Sequence, residues 1–159
     1  MNHLKPVDHT AIAVNQGTII FLLLTAFVIS APWLVAVVSA FMLLGSLALR
    51  KPGFFWLYRY LLRPLDLVKP AVVPDHPEPH LFAQGFGGTV LLASILFLGL
   101  GLPVPGWALS WLVIALAGLN LFGGFCMGCF VYYWLNRLQV PGFRIRPPEG
   151  TSPGFRPKA

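Results

Sequence analysis

Two long stretches of the chain carry no charged residue, Gln16 to Leu49 and Leu81 to Asn136. Each is too long for a single membrane crossing of about 20 apolar residues. The first is broken by Ser30-Ala31-Pro32-Trp33, where proline disfavours helix at the residue before it and favours the first turn of a new one. The second is broken by Leu102-Pro103-Val104-Pro105-Gly106. The pattern predicts four transmembrane helices in two hairpins, at about 14–31, 32–49, 82–101 and 107–135. Between the hairpins, Arg50-Lys51-Pro52-Gly53 stops the second span, and Arg59 and Arg63 stand four apart among aromatic and leucine residues. That spacing predicts a short interfacial helix over 53–63, with its arginines toward headgroups. Pro64 to Pro79 contains five prolines and reads as an irregular linker. The fold class is thus an all-α membrane protein, with a four-span domain over 1–138. A Pro-rich basic tail follows over 139–159 and is expected to be unfolded near the membrane surface.

Composition supports that reading. Apolar residues make up 57% of the 159 and charged residues only 10%, too few charges to cover a soluble domain and too much apolar content for a disordered chain. The net charge of +6 points to lipid headgroups and topology rather than nucleic acid, because of where the charges fall. All eleven basic residues precede the first span, lie between the second and third, or follow the fourth. The positive-inside rule then places both termini in the cytoplasm of a cell whose inner membrane holds the protein. Asn15-Gln16-Gly17 and Ala83-Gln84-Gly85 open the two hairpins, and Trp33 and Trp107 open the return helices near prolines, so a parallel internal repeat competes with chance similarity.

The candidate chemistry sits at the end of the fourth span, in Asn120-Leu-Phe-Gly-Gly124-Phe-Cys126-Met-Gly128-Cys129. Cys126 and Cys129, the only two cysteines, fall on one helical face at i and i+3, about 5 Å apart at Cα and inside the disulfide range. Gly124-x-x-x-Gly128 offers a close helix-packing surface. Asn120 is polar within the span and calls for a partner, for which Gln84 and Asn15 are of the right type; these three amides are the candidate substrate-binding residues. In one continuous helix the thiols lie toward the C-terminal end, where burial and the helix dipole disfavour thiolate. A break at Gly123-Gly124 would instead put Cys126 in the first turn of a new half-helix. His3, His9, His76 and His80 share one side of the membrane but lack metal-ligand spacing, so they read as solvated linker residues and no metal or cofactor is expected. No nucleophile–base set and no intramembrane charge is visible, which argues against an ion-coupled pump.

Several of these motifs together resemble a known family. Val7-Asp8-His9-Thr10 through Asn15-Gln16, the basic aromatic segment from Arg50 to Pro64, Phe82-Ala83-Gln84, and Phe125-Cys126-Met127-Gly128-Cys129-Phe130-Val131-Tyr132 carry the likeness. It is to a bacterial membrane family catalogued as domain-of-unknown-function family number 4395, and covers about Val7 to Leu138. The resemblance implies a small four-span inner-membrane protein with thiol-redox or sulfur-handling neighbours. The favoured expectation is a membrane-embedded protein whose Cys126–Cys129 dithiol serves thiol redox or sulfur handling, with the bilayer and a thiol or sulfur-carrier protein as partners. Its rivals are a non-catalytic accessory subunit and a facilitator of transport for a small sulfur-containing solute.

Overall fold

The computed structural model describes residues 4–65, 68–148 and 150–156. His3 and Lys158, which entered the histidine and charge arguments, lie outside the described residues. A short strand β1 (Lys5–Asp8) leads into α1 (His9–Val28), and α2 (Pro32–Leu44) continues as a π-helical turn over Gly45–Leu49. Next come α3 (Phe55–Leu57), extended by a second π-turn over Tyr58–Leu62, and strand β2 (Val72–Asp75). The chain then forms α4 (Pro77–Gly99), α5 (Pro103–Gly123) and α6 (Met127–Arg137). Four helices, His9–Val28, Pro32–Leu49, Pro77–Gly99 and Pro103–Gly123, are long and apolar enough to cross a membrane.

The prolines mark where helices start. Pro32 and Pro103 occupy first-turn positions of α2 and α5, where their missing N–H goes unused in any helix and their fixed φ is already helical. Ile19, Leu23, Val35, Val38, Met42, Leu91, Val113 and Ile114 meet in the bundle centre. Where lipid gives apolar side chains no reason to leave it, helices associate through small residues and buried polar contacts. Both are present. A Cβ at Gly106 would come within 2.6 Å of Leu98, and one at Gly88 within 2.9 Å of Leu43. Ser39 donates to the Gly88 carbonyl at 2.9 Å, and Ser94 pairs with Ser110 at 2.9 Å while contacting the Gly106 carbonyl at 2.7 Å.

The span boundaries differ from those expected at one place that matters. The fourth apolar stretch is not a single helix over 107–135. It ends at Gly123, and Gly124 takes φ +63°, which turns the chain left-handed. A new helix starts at Met127. The physical reason is the glycine pair: Gly124 tolerates the left-handed conformation that closes a helix at little steric cost. The first and third spans also begin earlier than 14 and 82, at His9 and Pro77, because Asp8 caps α1 through Thr10 N at 3.0 Å and Pro77 and Pro79 fit a first turn. The interfacial segment is helical over 55–62, close to the expected 53–63.

The linker and the tail are structured as well. β1 pairs antiparallel with β2, Lys5 opposite Asp75 and Asp8 opposite Val72. The tail, expected to be unfolded, packs back on α4 and α6. Phe143 stands edge-on to Phe82 and Tyr132, and Asn136 donates to its carbonyl at 2.7 Å. The strand pair, α6 and the tail therefore gather where α1 and α4 begin and α5 ends.

Candidate functional site

Cys126 and Cys129 are joined by a disulfide, with Cα atoms 5.2 Å apart. The break at Gly124 decides their setting. Cys126 is the N-cap of α6, and its sulfur accepts from Cys129 N at 3.2 Å. A helix N-terminus carries unpaired N–H groups and a partial positive charge, the environment in which thiolates form most readily. Both cysteines are buried, at 5% and 2% exposure, so what touches them is other protein groups.

Those groups come from three separate segments. His80, in the first turn of α4, places Nδ1 at 3.5 Å from Cys129 Sγ. Its other nitrogen, Nε2, lies 3.0 Å from Asp75 Oδ2 at the end of β2. His9, at the start of α1, brings Nε2 to 3.2 Å from the same oxygen without the alignment of a hydrogen bond. The His76 backbone N–H donates to Asp75 Oδ1 at 2.7 Å. Burial alone would push the Asp75 carboxyl up; the His80 bond, the His9 ring and the His76 N–H outweigh it and hold the group well below the usual carboxylate range. Asp75 Oδ2 thus faces one ring nitrogen of His80 and the Cys129 sulfur faces the other.

This corrects the reading of the histidines as solvated. His9 and His76 are buried and His80 is largely so. A contact chain absent from the sequence pattern runs from Asp75 through His80 to Cys129. The one signal that could have found it is Asp75 and His80 set five apart around Pro77, a helix start that turns both toward one point.

The predicted amides lie beside the sulfurs, but their polar atoms are engaged. Gln84 Oε1 accepts from Gly53 N at 3.1 Å, and its Nε2 donates to the Met42 carbonyl at 2.9 Å. Asn15 Oδ1 accepts from Phe54 N at 2.9 Å, and Asn15 meets Gln84 at 3.5 Å. The two amides thus clamp the turn between α2 and α3. Asn120 meets neither; its carbonyl and side-chain oxygens accept from the Arg156 guanidinium of the tail, at 2.7 and 3.2 Å. All three amides nonetheless line cavities that also reach Cys126. The larger, of about 250 Å³, is bounded further by Asp8, Ile12, Phe55 and His80.

The glycines divide. Gly128 is a true packing residue: a Cβ there would overlap the Cβ of Ala83 on α4 and sit 2.6 Å from its Cα. Gly124 is not, contrary to expectation, because it lies in the break and meets only Arg156 Cδ at 4.0 Å. The tail then closes the site. The Gly154 carbonyl accepts from Cys126 N at 2.7 Å, the Gly124 carbonyl accepts from Arg156 N at 3.1 Å, and Phe155 bridges to Phe125.

A family described as domain of unknown function, DUF4395, matches residues 7–137. The chain belongs to this family. The DUF4395 match begins within β1 and takes in β2, the four long helices, the disulfide and the Asp75–His80 pair, and it stops at the end of α6, so the tail over the sulfurs lies beyond it. No curated protein and no solved structure matches the chain.

Proposed function

We propose that the protein is a membrane-embedded thiol–disulfide exchanger, in which Cys126 and Cys129 cycle between dithiol and disulfide. The observation that carries the reading is the buried Asp75–His80 pair directed at Cys129, beside a Cys126 that caps a helix. In one direction, the Cys126 thiolate attacks a partner disulfide and expels one partner thiolate. His80 Nδ1 takes the proton of Cys129, whose thiolate attacks the Cys126 sulfur of the mixed disulfide and releases the second partner thiolate. The protein dithiol and partner disulfide become protein disulfide and partner dithiol, and the reverse reaction follows the same steps. The N-terminal cysteine of the pair suits the outward role because it lines the cavity, while Cys129 is held against the base.

The eleven basic residues favour a bacterial inner-membrane protein with both termini, and hence the sulfurs, on the cytoplasmic side. A cytoplasmic thiol protein or sulfur carrier is then the natural partner. Residue accessibility tests the reading directly. In native membranes, Cys126 should be blocked to alkylation when oxidised and become reactive after reduction. Each single Cys→Ser variant should lose turnover with a dithiol–disulfide couple as completely as the double variant. Full function of the double Cys→Ala protein in a host that needs it would refute the exchange reading and favour the accessory-subunit rival, for which cysteines only pack.

A further inference from the structure

The arrangement that would serve sulfur exchange also has the dimensions of a metal site. We propose that the reduced protein binds one zinc ion through Cys126 Sγ, Cys129 Sγ and His80 Nδ1, leaving the fourth position open to the cavity. The proposal shares with the exchange reading only the requirement that the disulfide can be reduced.

Three observations carry it. First, the three ligand atoms lie within 4.8 Å of one another. Tetrahedral zinc with Zn–S of about 2.3 Å and Zn–N of about 2.05 Å sets sulfur and nitrogen roughly 3.5–3.6 Å apart; Cys129 Sγ and His80 Nδ1 are 3.5 Å apart. Two thiolates on one tetrahedral zinc stand roughly 3.8 Å apart, a separation that side-chain rotation supplies once the bond opens, on Cα atoms 5.2 Å apart. Second, the supporting contacts are those that ligands need. His80 Nε2 is held by Asp75 Oδ2 at 3.0 Å, which orients the ring and raises the basicity of Nδ1. Cys129 N donates to Cys126 Sγ at 3.2 Å and would stabilise that sulfur as a thiolate. Third, the charges close. A dication, two thiolates and a neutral imidazole sum to zero, whereas two bare thiolates in this buried place would be costly.

The alternative group, His9, Asp75 and His80, is less apt. Its 3.0 and 3.2 Å separations already serve the carboxylate's own pairing with the rings, and it supplies no thiolate. With the cysteine set, three protein ligands and an open position match the pattern of exchangeable rather than closed structural zinc sites. The cavity of about 250 Å³ that Cys126 and His80 both line is where a water or a small thiol would complete the shell. Oxidation of the pair removes both thiolate ligands, so metal occupancy reports the redox state.

Cobalt substitution in the full-length protein, held in nanodiscs, tests this. The protein is reduced with a phosphine, freed of it, and shown to hold two titratable thiols. Cobalt(II) should then bind at one per chain, with tetrahedral d–d bands and thiolate charge-transfer absorption, and added zinc should displace it. The oxidised protein, the same chain without any substitution, should give no such bands. Asp75→Asn should weaken zinc binding about 10–100-fold, and His80→Gln by at least as much, both checked for native helicity. Two free thiols that give no bands in the wild type, or binding indifferent to His80→Gln, would overturn the proposal. Disulfide exchange measured on the same sample says separately whether the exchange reading holds.

Discussion

Gly128→Ala perturbs the site through geometry alone. The added methyl would overlap the Ala83 Cβ and sit 2.6 Å from the Ala83 Cα, which is backbone and cannot turn aside. Carbon atoms rest at about 3.5–4.0 Å, so α6 and α4 must part by roughly 1 Å. Overpacking of that kind costs typically 1–3 kcal/mol. The same displacement opens the contact between Cys129 Sγ and His80 Nδ1, now 3.5 Å, to roughly 4.5 Å, beyond hydrogen-bond reach. A positioned general base contributes about 10²–10⁴ in rate, so exchange should fall by at least about 100-fold in a protein that still folds. Gly124→Ala is the matched control. It carries a left-handed backbone penalty of about 1–2 kcal/mol, but its methyl meets nothing nearer than Arg156 Cδ at 4.0 Å. Thermal unfolding in detergent and the rate of exchange with a small disulfide, measured on both variants, read the two effects separately. A Gly128→Ala protein with wild-type midpoint and wild-type rate would refute the placement of α6 on α4 and the role given to His80.

Other expectations follow from the surrounding contacts. Gln84→Ala leaves the buried Gly53 N–H without its acceptor, while the Met42 carbonyl keeps the Gly45 N–H, and should destabilise by about 1–3 kcal/mol, seen as a lower unfolding midpoint rather than an altered KM. Arg156→Ala removes a charged bond to Asn120, a loss of about 1.5–3 kcal/mol, and should speed phosphine reduction of the disulfide about tenfold as the tail lifts from Cys126. The Tyr58 hydroxyl is pushed up to about 12 by burial, by its hydrogen bond to Asp8 and by that carboxylate's charge, against a smaller opposing effect of Arg63. Its folded value exceeds the unfolded one near 10, so its contribution is complete below pH about 10 and is lost as pH rises toward 12; Tyr58→Phe should flatten that alkaline limb of an unfolding profile. Reporter fusions at residue 159 and in the turn between α4 and α5, residues 100–102, should give opposite signals, and equal signals would refute the four-span topology.

The spans were legible because lipid imposes a crude rule: a run of uncharged residues of sufficient length must be a helix, and prolines such as Pro32 and Pro103 say where one begins. The short helix over 55–62 was legible from Arg59 and Arg63 set four apart among aromatics. The site was only half legible. Cys126 and Cys129 announce themselves by spacing, and the glycine pair allowed the break without requiring it. The histidines did not announce themselves, because burial in a polar linker is a tertiary fact. Asp75 and His9 are sixty-six residues apart in sequence, and only the pairing of β1 with β2 brings them together. Two four-residue strands, each holding a proline, Pro6 in β1 and Pro74 in β2, carry no periodic signal of their own. The tail was misread for the opposite reason: its composition suits disorder, but Gly154 and Arg156 find backbone partners that composition does not reveal.

The break at Gly124 ties these pieces into one argument. Had α5 continued unbroken to residue 135, Cys126 would sit inside a helix whose carbonyls and dipole oppose a thiolate. Its backbone N–H would bond within that helix rather than to Gly154. Ending α5 at Gly123 leaves its 21 residues about 31 Å long, a full crossing of the hydrocarbon. The sulfurs therefore lie beyond the end of that long helix, where the first turn of α4 and the strand pair can reach them. The same turn of chain delivers the cysteines to a helix N-terminus, to His80 and to the tail. Within the four long helices the one Asp, Glu, Lys or Arg is Glu78, in the first turn of α4 beside the strand pair, so exchange at the sulfurs would need no charge deeper in the spans.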